Sequence, residues 1–298
     1  MRIERLAIIG VGLIGGSLAA ALRRQDLVGE VIGCGRDEAN LIKGVELGVL
    51  DRYTFDPAVA ARHADMVVVA VTLGGTDAIL EKIAPVLGPE AVVTDVGSTK
   101  GELVARARAS LGAQFPRFVP GHPIAGGERS GVAAARAELY QNHRVILTPV
   151  PETAPDALAR VRAMWEATGA QVASMDPAHH DEVLAATSHL PHMLAYTLVD
   201  CLAGLGEGGG TIFDYAAGGF RDFTRIASSN PEMWRDIALE NGPAIEALCA
   251  RFEATFGGLR EAIRTHDGAA LERLFAHAKE ARDAWLERRA REAEATSR

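Results

Sequence analysis

Short apolar runs alternate with amphipathic stretches along the first half of the chain. The runs are rich in Val and Ile, and the stretches between them repeat apolar residues at helical spacing. This alternation predicts a mostly parallel sheet with helices on both faces. The predicted strands are Leu6–Ile9, Val31–Cys34, Met66–Val71, Ala91–Thr94, Phe118–Val119 and Val145–Leu147, with a further one near Gln171–Ser174 at the sheet edge, and the helices are Leu13–Arg24, Glu38–Leu47, Thr76–Leu87 and Lys100–Leu111.

The pattern becomes helical after Asp176. A glycine-rich loop at Gly206–Gly210 separates two of the predicted helices. We therefore expect an α/β doubly wound domain over residues 1–172 and an all-α domain over residues 173–298. The predicted helices are Pro177–Leu205, Gly218–Ile226, Pro231–Glu261 and Ala269–Arg291.

A G-x-G-x-x-G motif lies between the first predicted strand and the first predicted helix. Gly10 permits the tight turn, Gly12 lets the backbone approach a pyrophosphate, and Gly15 lets the helix pack close to the strand. A glycine turn that only packs is the alternative, but its place in a β-α-β unit favours dinucleotide binding by a Rossmann domain. Further expected cofactor contacts come from Leu13, Ile14 and Val71.

The end of the second predicted strand bears on the choice of cofactor. NAD enzymes carry an acidic residue there for the ribose 2′-hydroxyl, whereas this chain has Gly35 followed by Arg36. An arginine can bind a 2′-phosphate through two hydrogen bonds, which favours NADP. The alternative is a solvated Arg36, with Asp37 binding the ribose of NAD.

Two polar residues follow predicted strands at the edge where ligands bind in this architecture. Pro123 holds His122 extended, so its imidazole should project from the strand end towards the nicotinamide and act as a base. Ser98 either fixes the orientation of His122 or caps the next helix. An exposed or purely structural histidine is the alternative.

The helical half contains two more polar groups. His189 and His192 share a helix face near a kink expected at Pro191, which also suits a kinked core helix. The segment from Gly218 to Arg225 combines Arg, Asp and Thr with glycines, a set that suits an anionic ligand. His179 and His180 are interpreted as caps at a helix start rather than metal ligands.

Composition narrows the possible partners. The 298-residue chain has a formal net charge of −8, which argues against a nucleic-acid partner because phosphate binding needs a basic face. Cys34, Cys201 and Cys249 are far apart and odd in number, as expected of free thiols in a reducing compartment. With no targeting segment, membrane span or C-x-x-C motif recognised, we expect a cytoplasmic protein without a metal, and a homodimer that covers apolar faces of the helical half.

Together these motifs resemble the prephenate/arogenate dehydrogenase (cyclohexadienyl dehydrogenase) family of tyrosine biosynthesis. The likeness spans most of the chain, and the GHPIAG, SHLPH and GFRDFTRIA motifs make it specific. It implies oxidative decarboxylation of prephenate or arogenate with hydride transfer to NAD or NADP, and dimers formed through the helical domain. The residues that carry the likeness are Gly10–Gly16, Asp95–Lys100, Gly121–Glu128, Ser188–His192, Gly218–Ala227 and Met233–Asp236.

The resemblance also implies roles for single residues. His122 matches the catalytic histidine, and Ser98 matches a serine that hydrogen-bonds both this histidine and the substrate hydroxyl. His192 and Arg225 match groups that recognise the substrate side chain and carboxylates. Further expected substrate contacts, among them residues that shape or gate the pocket, are Glu128, Asp222, Trp234, Gly218 and His189.

The sequence departs from the family pattern at few positions. Gly127 stands where threonine is common, Ala217 where a third glycine is common, and the second-strand carboxylate is missing. Two other functions are considered. A β-hydroxyacid dehydrogenase or imine reductase shares the domain plan, but the hydroxyacid enzymes need a lysine on an interdomain helix, and no lysine lies between residues 101 and 278. An NADP-binding sensor without turnover would need neither His122 nor the other polar groups.

Overall fold

The computed structural model describes residues 2–127, 129–205 and 210–296. The chain forms two compact units, one up to residue 245 and one from residue 246 onward. The first unit contains the strands and the candidate site described below. The second contains most of one long helix and the C-terminal helix. Residues 206–209 of the predicted glycine-rich loop lie outside the described part of the chain.

A parallel sheet of six strands forms the centre of the first unit, in the order β3-β2-β1-β4-β5-β6. The strands β1 and β4 lie at the centre, and the remaining strands follow outward on each side, as in a doubly wound Rossmann sheet. The predicted α/β class, followed by a helical C-terminal part, is confirmed. The strands are β1 Ile3–Ile9, β2 Val28–Cys34, β3 Arg52–Thr54, β4 Met66–Val69, β5 Val92–Asp95 and β6 Phe118–Val119.

Each central strand contributes side chains to both faces of the sheet. Along β1, Leu6 and Ile8 belong to one apolar cluster, whereas Ala7 and Ile9 belong to a second. Successive side chains of a strand point to opposite faces, so a strand covered on both faces must be apolar at every position. The continuous apolar runs in the sequence thus reflect a sheet buried between two layers of helices.

The last part of the α/β region forms a second sheet. Its strands are β7 Gly121–Pro123, β8 Arg144–Leu147 and β9 Gln171–Ser174, with β7 antiparallel to β8. The prediction that Gln171–Ser174 closes the edge of the main sheet is wrong, since it pairs with β8. The chain leaves the main sheet at Pro120, which has no N–H for a ladder bond, and the next N–H, from Gly121, binds the Asp95 side chain.

Helices cover the main sheet and make up the chain after β9. The single helix predicted over Pro231–Glu261 is wrong, because the structure has two helices that meet at Asn241. The Asn241 side chain bonds to Asp181 and His189, and Pro243 suits the start of the second helix. Within the described residues, every helix is either too short or too polar to span a lipid bilayer. The helices are α1 Leu13–Arg24, α2 Glu38–Glu46, α3 Pro57–Ala61, α4 Thr76–Ile83, α5 Gly101–Leu111, α6 Pro155–Ala167, α7 Pro177–Leu184, α8 Leu190–Ala203, α9 Gly210–Phe213, α10 Gly218–Thr224, α11 Pro231–Glu240, α12 Gly242–Arg264 and α13 Gly268–Thr296.

Candidate active site

The glycine loop connects β1 to α1 at the carboxyl edge of the sheet. Gly10 has a φ of +99°, and a Cβ there would lie 2.2 Å from the carbonyl oxygen of Ala70, just after β4. A Cβ on Gly15 would lie 2.6 Å from the carbonyl oxygen of Gly10, so both positions need glycine. The loop therefore lies between β1 and β4, at the point where the strand order reverses and ligands bind in such sheets.

The start of α1 is open to a ligand. A Cβ added to Gly12 would meet nothing within 4 Å, and no side chain caps the helix. Free N–H groups at a helix start attract anions such as a pyrophosphate. Leu13 and Ile14 form the first turn of α1, and half-buried Val71 follows β4. These features fit the expected dinucleotide.

Arg36 and Asp37 follow the end of β2 and have different surroundings. Asp37 caps α2, where its Oδ1 accepts a hydrogen bond of 3.2 Å from the N–H of Asn40. Arg36 is exposed and makes no ion pair with any residue in the described ranges. Gly35 packs beside Leu41. The first carboxylate after β2, that of Asp37, thus caps the next helix.

The strand β7 places His122 beside the end of β5. The N–H of Gly121 donates to Oδ1 of Asp95 over 3.0 Å, and the other oxygen of Asp95 pairs with Lys100. Farther along the same segment, a Cβ on Gly127 would lie 3.3 Å from Cδ2 of Leu13 in the glycine loop. The segment that begins with His122 therefore extends to the loop expected to hold the cofactor.

A chain of hydrogen bonds starts at the His122 imidazole. Its Nδ1 lies 2.9 Å from Nε2 of His180, whose Nδ1 lies 2.8 Å from Oδ1 of Asp181. Asp181 also accepts the N–H groups of Lys100 and Gly101 at the start of α5, over 2.8 and 2.7 Å. His122, His180 and Asp181 thus form one connected group at the edge of the sheet.

Ser98 has neither of the local roles considered for it from sequence. Its side chain makes no hydrogen bond to a residue that the structure describes, so in this structure His180 rather than Ser98 orients His122. The capping hypothesis is wrong, because Asp181 binds the N–H groups at the start of α5. Ser98 itself is half-buried between β5 and α5.

Burial keeps the histidines of this group neutral. Removal from water lowers the pKa of His122 well below its ordinary value, and the nearby His180, Lys100 and His189 lower it further. Burial also lowers the pKa of His180, against the opposing effect of its bond to Asp181. A neutral imidazole can accept a proton, which is the state that a general base requires.

Asn241 connects this group to the aromatic part of the site. Its Nδ2 lies 2.8 Å from the carbonyl oxygen of Asp181 and 3.1 Å from Nδ1 of His189. His189 in turn meets the Trp234 indole edge-on, with ring centroids 6.0 Å apart. The break between α11 and α12 at Asn241 therefore has a structural role, because it directs this amide into the site.

His192 and Trp234 form a stacked pair, with ring centroids 3.7 Å apart. Burial lowers the pKa of His192, and the charge of Arg225 contributes to the shift against the bond from His192 Nδ1 to the carbonyl oxygen of Ser188. The buried Nε2 of His189 and Nε1 of Trp234 have no hydrogen-bond partner among the described residues. Buried polar atoms of this kind generally need a partner, and a bound ligand can supply one.

Two part-buried hydrogen bonds to Glu240 hold α11, and hence Trp234, against the end of the sheet. Glu240 accepts a hydrogen bond of 2.6 Å from the Thr99 hydroxyl and one of 2.7 Å from Arg106 of α5. Thr99 is the neighbour of Ser98 in the chain. The aromatic pair of the helical region is therefore fixed next to the β5–α5 turn.

Some predicted site residues have a different or undescribed setting. The Asp222 side chain is exposed, and its Oδ1 lies 3.6 Å from Nε of Arg221. Gly218 begins α10, where a Cβ would meet nothing within 4 Å. Glu128 lies outside the described residues.

Sequence reasoning missed three members of the site: His180, Asp181 and Asn241. The start of α7 is capped by Asp176, so the interpretation of His180 as a helix cap is wrong. His180 is fully buried, unlike its exposed neighbour His179. In the sequence, Asp176 is followed by His180 and Asp181. Taken locally, this pattern indicates only an ordinary helix start.

Two family models match the chain. Residues 18–174 match the nucleotide-binding domain of prephenate dehydrogenase, and residues 176–277 match its dimerization domain. A cyclohexadienyl dehydrogenase from Zymomonas mobilis is 38% identical over 95% of this chain and 95% of its own length.

Solved structures give the same result. A prephenate dehydrogenase from Aquifex aeolicus, crystallised with hydroxyphenyl propionate and NAD+, is 38% identical, covers 96% of this chain and 99% of its own, and has a TM-score of 0.87. An arogenate dehydrogenase from Synechocystis is 31% identical over 95% of this chain and 100% of its own, with a TM-score of 0.77. With its nucleotide-binding loop, its buried histidine at the sheet edge and these matches over nearly its whole length, the chain belongs to the prephenate dehydrogenase family of nicotinamide-dependent oxidoreductases.

Proposed function

We propose that this protein catalyses the oxidative decarboxylation of prephenate, arogenate or both, with His122 as the general base. The observation that carries the proposal is the position of His122: a neutral, almost fully buried imidazole in the segment that extends to the glycine loop. It is joined through His180, Asp181 and Asn241 to the histidine and tryptophan side chains of the helical region. A base and a recognition surface thus meet in one site.

The bound nicotinamide supplies a hydride acceptor for C4 of the substrate ring. His122 accepts the proton of the 4-hydroxyl group as C4 loses its hydride, so the oxygen first becomes a carbonyl oxygen. Once the ring is aromatic this oxygen is a phenolate, which takes the proton back from His122. The bond from C1 to the ring carboxylate breaks, its electron pair enters the ring, and carbon dioxide leaves. Because the ring becomes aromatic, the residues of the site mainly have to bind, orient and accept a proton.

Recognition of the substrate rests on the cationic and aromatic groups of the helical region. Prephenate and arogenate carry two carboxylates, and the charge of Arg225 contributes to lowering the pKa of His192. Trp234 supplies a flat apolar surface against His192, and Nε2 of His189, which has no partner in the described part of the chain, offers a polar contact. Ser98 binds the 4-hydroxyl group, and Glu128, Asp222 and Gly218 complete the pocket in this proposal.

NADP is the proposed cofactor. Exposed Arg36 follows β2 without an ion-pair partner in the described part of the chain, so it is available for a 2′-phosphate. Gly35 stands at the end of β2, where NAD enzymes carry a carboxylate for the ribose 2′-hydroxyl, and the first carboxylate after it, Asp37, caps α2. Gly35 allows the close approach of the adenosine part.

The protein also acts as a homodimer in this proposal. The second compact unit exposes large apolar side chains on its two helices, among them Phe252, Phe256, Phe275 and Trp285. An accumulation of large exposed apolar side chains on helices is typical of an interface with another chain. Light scattering coupled to gel filtration should give the mass of two chains, and the mass of one chain at micromolar concentration would contradict the proposal.

An assay of prephenate and arogenate, each with NAD and with NADP, tests the activity. We expect reduced cofactor to form with at least one substrate, faster with NADP than with NAD, and carbon dioxide to be released in equal amount. A protein that binds NADP but oxidises neither substrate would instead fit a sensor. Turnover of a β-hydroxyacid without decarboxylation would indicate the hydroxyacid dehydrogenase class.

A further inference from the structure

The ionisation of Asp181 sets the direction of the hydrogen bonds around His122. Its Oδ1 accepts the N–H of Lys100 and its Oδ2 accepts the N–H of Gly101. Burial acts to raise the pKa of Asp181, but the bonds from His180, Gly101 and Lys100 outweigh it and lower the pKa. Asp181 is therefore an ionised carboxylate at neutral pH, and a carboxylate can only accept hydrogen bonds.

The carboxylate determines which nitrogen of His180 carries the proton. Nδ1 of His180 lies 2.8 Å from Oδ1 of Asp181, so Nδ1 must carry a hydrogen and donate it. His180 is fully buried and neutral. A neutral imidazole has one N–H, so Nε2 of His180 carries a lone pair and can only accept.

The same reasoning extends one residue further. Nε2 of His180 accepts from Nδ1 of His122, 2.9 Å away, so the proton of neutral His122 is on Nδ1. We propose that His180 and Asp181 are positioning residues that hold His122 as the Nδ1–H tautomer and thereby make its Nε2 the base of the reaction. This inference rests on the proposed role of His122.

The arrangement also stabilises the charge that forms during turnover. When Nε2 of His122 takes the substrate proton, the new imidazolium donates a charge-assisted hydrogen bond to His180, which is polarised by Asp181. The other charged or titratable groups nearby are Lys100, its partner Asp95, and His189. Lys100 opposes a positive charge on His122. The Asp181 carboxylate favours that positive charge, because it is connected to His122 through the hydrogen bonds of His180.

The role of His180 is tested with two substitutions and a neighbouring control. His180→Phe keeps a ring but removes the acceptor, whereas His180→Gln can place an amide oxygen near the position of Nε2. His179→Gln alters the exposed histidine next to it. We expect kcat to fall by about 10²-fold or more in His180→Phe, to recover in part in His180→Gln and to stay unchanged in the control. KM and the dissociation constant for the cofactor should change less than about threefold.

The outcomes separate this inference from the proposed function. If His122→Asn loses turnover while His180→Phe keeps kcat within about threefold of the unaltered protein, the positioning role is refuted and the base assignment stands. If His122→Asn retains turnover, the base assignment itself fails. A fall in kcat that is equal in His180→Phe and His180→Gln also refutes the inference, because the acceptor would then be irrelevant.

Nuclear magnetic resonance tests the tautomer directly in the unaltered protein. In protein labelled with ¹⁵N-histidine, we expect both His122 and His180 to carry the proton on Nδ1 at neutral pH. His122→Asn and His180→Gln samples assign the signals. An Nε2–H tautomer at His122 in the unaltered protein would overturn the inference.

Discussion

The ammonium group of Lys100 is buried against the carboxylate of Asp95, and their side chains are 0% and 3% exposed. Burial lowers the pKa of Lys100, although Asp95 acts to raise it. Asp95 also accepts the N–H of Gly121, the residue before His122. This ion pair therefore joins the end of β5, the start of α5 and the strand that carries the proposed base.

Removal of one charge from this pair should strongly destabilise the protein. Asp95→Asn keeps the shape but leaves Lys100 buried without a counter-charge, which typically costs about 3–5 kcal/mol of unfolding free energy. The matched control is Glu152→Gln, which breaks the exposed pair with Arg108 and should cost no more than about 1 kcal/mol. Urea unfolding at neutral pH measures both values. Similar losses in the two variants would contradict the importance of the buried pair.

His122→Asn should lower kcat by about 10²–10⁴-fold, because it removes the proton acceptor but keeps a small polar side chain. Cofactor affinity, measured by fluorescence titration, should be unchanged, which would show that the variant is folded. Turnover near the normal rate in this variant would rule out His122 as the base.

Arg225→Ala should mainly raise KM, by about tenfold or more, since the charge is proposed to bind the substrate carboxylates in ground and transition states alike. Arg108→Ala is a suitable control, because it removes one positive charge from a surface pair with Glu152. Steady-state kinetics with saturating cofactor give both constants. An unchanged KM in Arg225→Ala would place this arginine outside the substrate site.

Stability should depend on pH through His189, whose pKa is lowered to about 4, chiefly by burial. In the unfolded chain its pKa is near 6.5, so between about pH 6.5 and 4 the unfolded state binds more protons than the folded state. Unfolding free energy should therefore be fully present above about pH 6.5 and decline as the pH falls through this window.

His189→Gln should make that decline shallower, whereas the exposed His179→Gln should leave it as it is. Urea unfolding at a series of pH values between about 4 and 7.5 measures the slope. A slope in His189→Gln equal to that of the unaltered protein would show that His189 does not contribute.

Arg36→Ala should raise KM for NADP by about tenfold or more and leave KM for NAD nearly unchanged, because it removes a donor for the 2′-phosphate. The matched control is Arg24→Ala, at the opposite end of α1 from the glycine loop. An equal change for both cofactors would indicate that Arg36 does not contact the 2′-phosphate.

The sequence by itself determined those features whose cause is local. The glycine spacing predicted the turn, the open helix start and the close packing that Gly10, Gly12 and Gly15 show in the fold. Continuous apolar runs predicted buried parallel strands, because a strand covered on both faces needs apolar residues throughout. The position of His122 after a strand placed it at the ligand-binding edge of the sheet.

Tertiary structure decided which groups meet His122. His180 and Asp181 belong to α7 and Asn241 lies after α11, and nothing in their local patterns distinguishes them from ordinary residues at helix ends. Their bonds bridge residues 58 apart in the chain for His122 and His180, and 60 apart for Asp181 and Asn241. The periodicity of a segment shows which of its faces is buried. The partner of a buried polar group depends instead on how distant segments pack against one another. For this reason the sequence pattern did not identify the residues that complete the site.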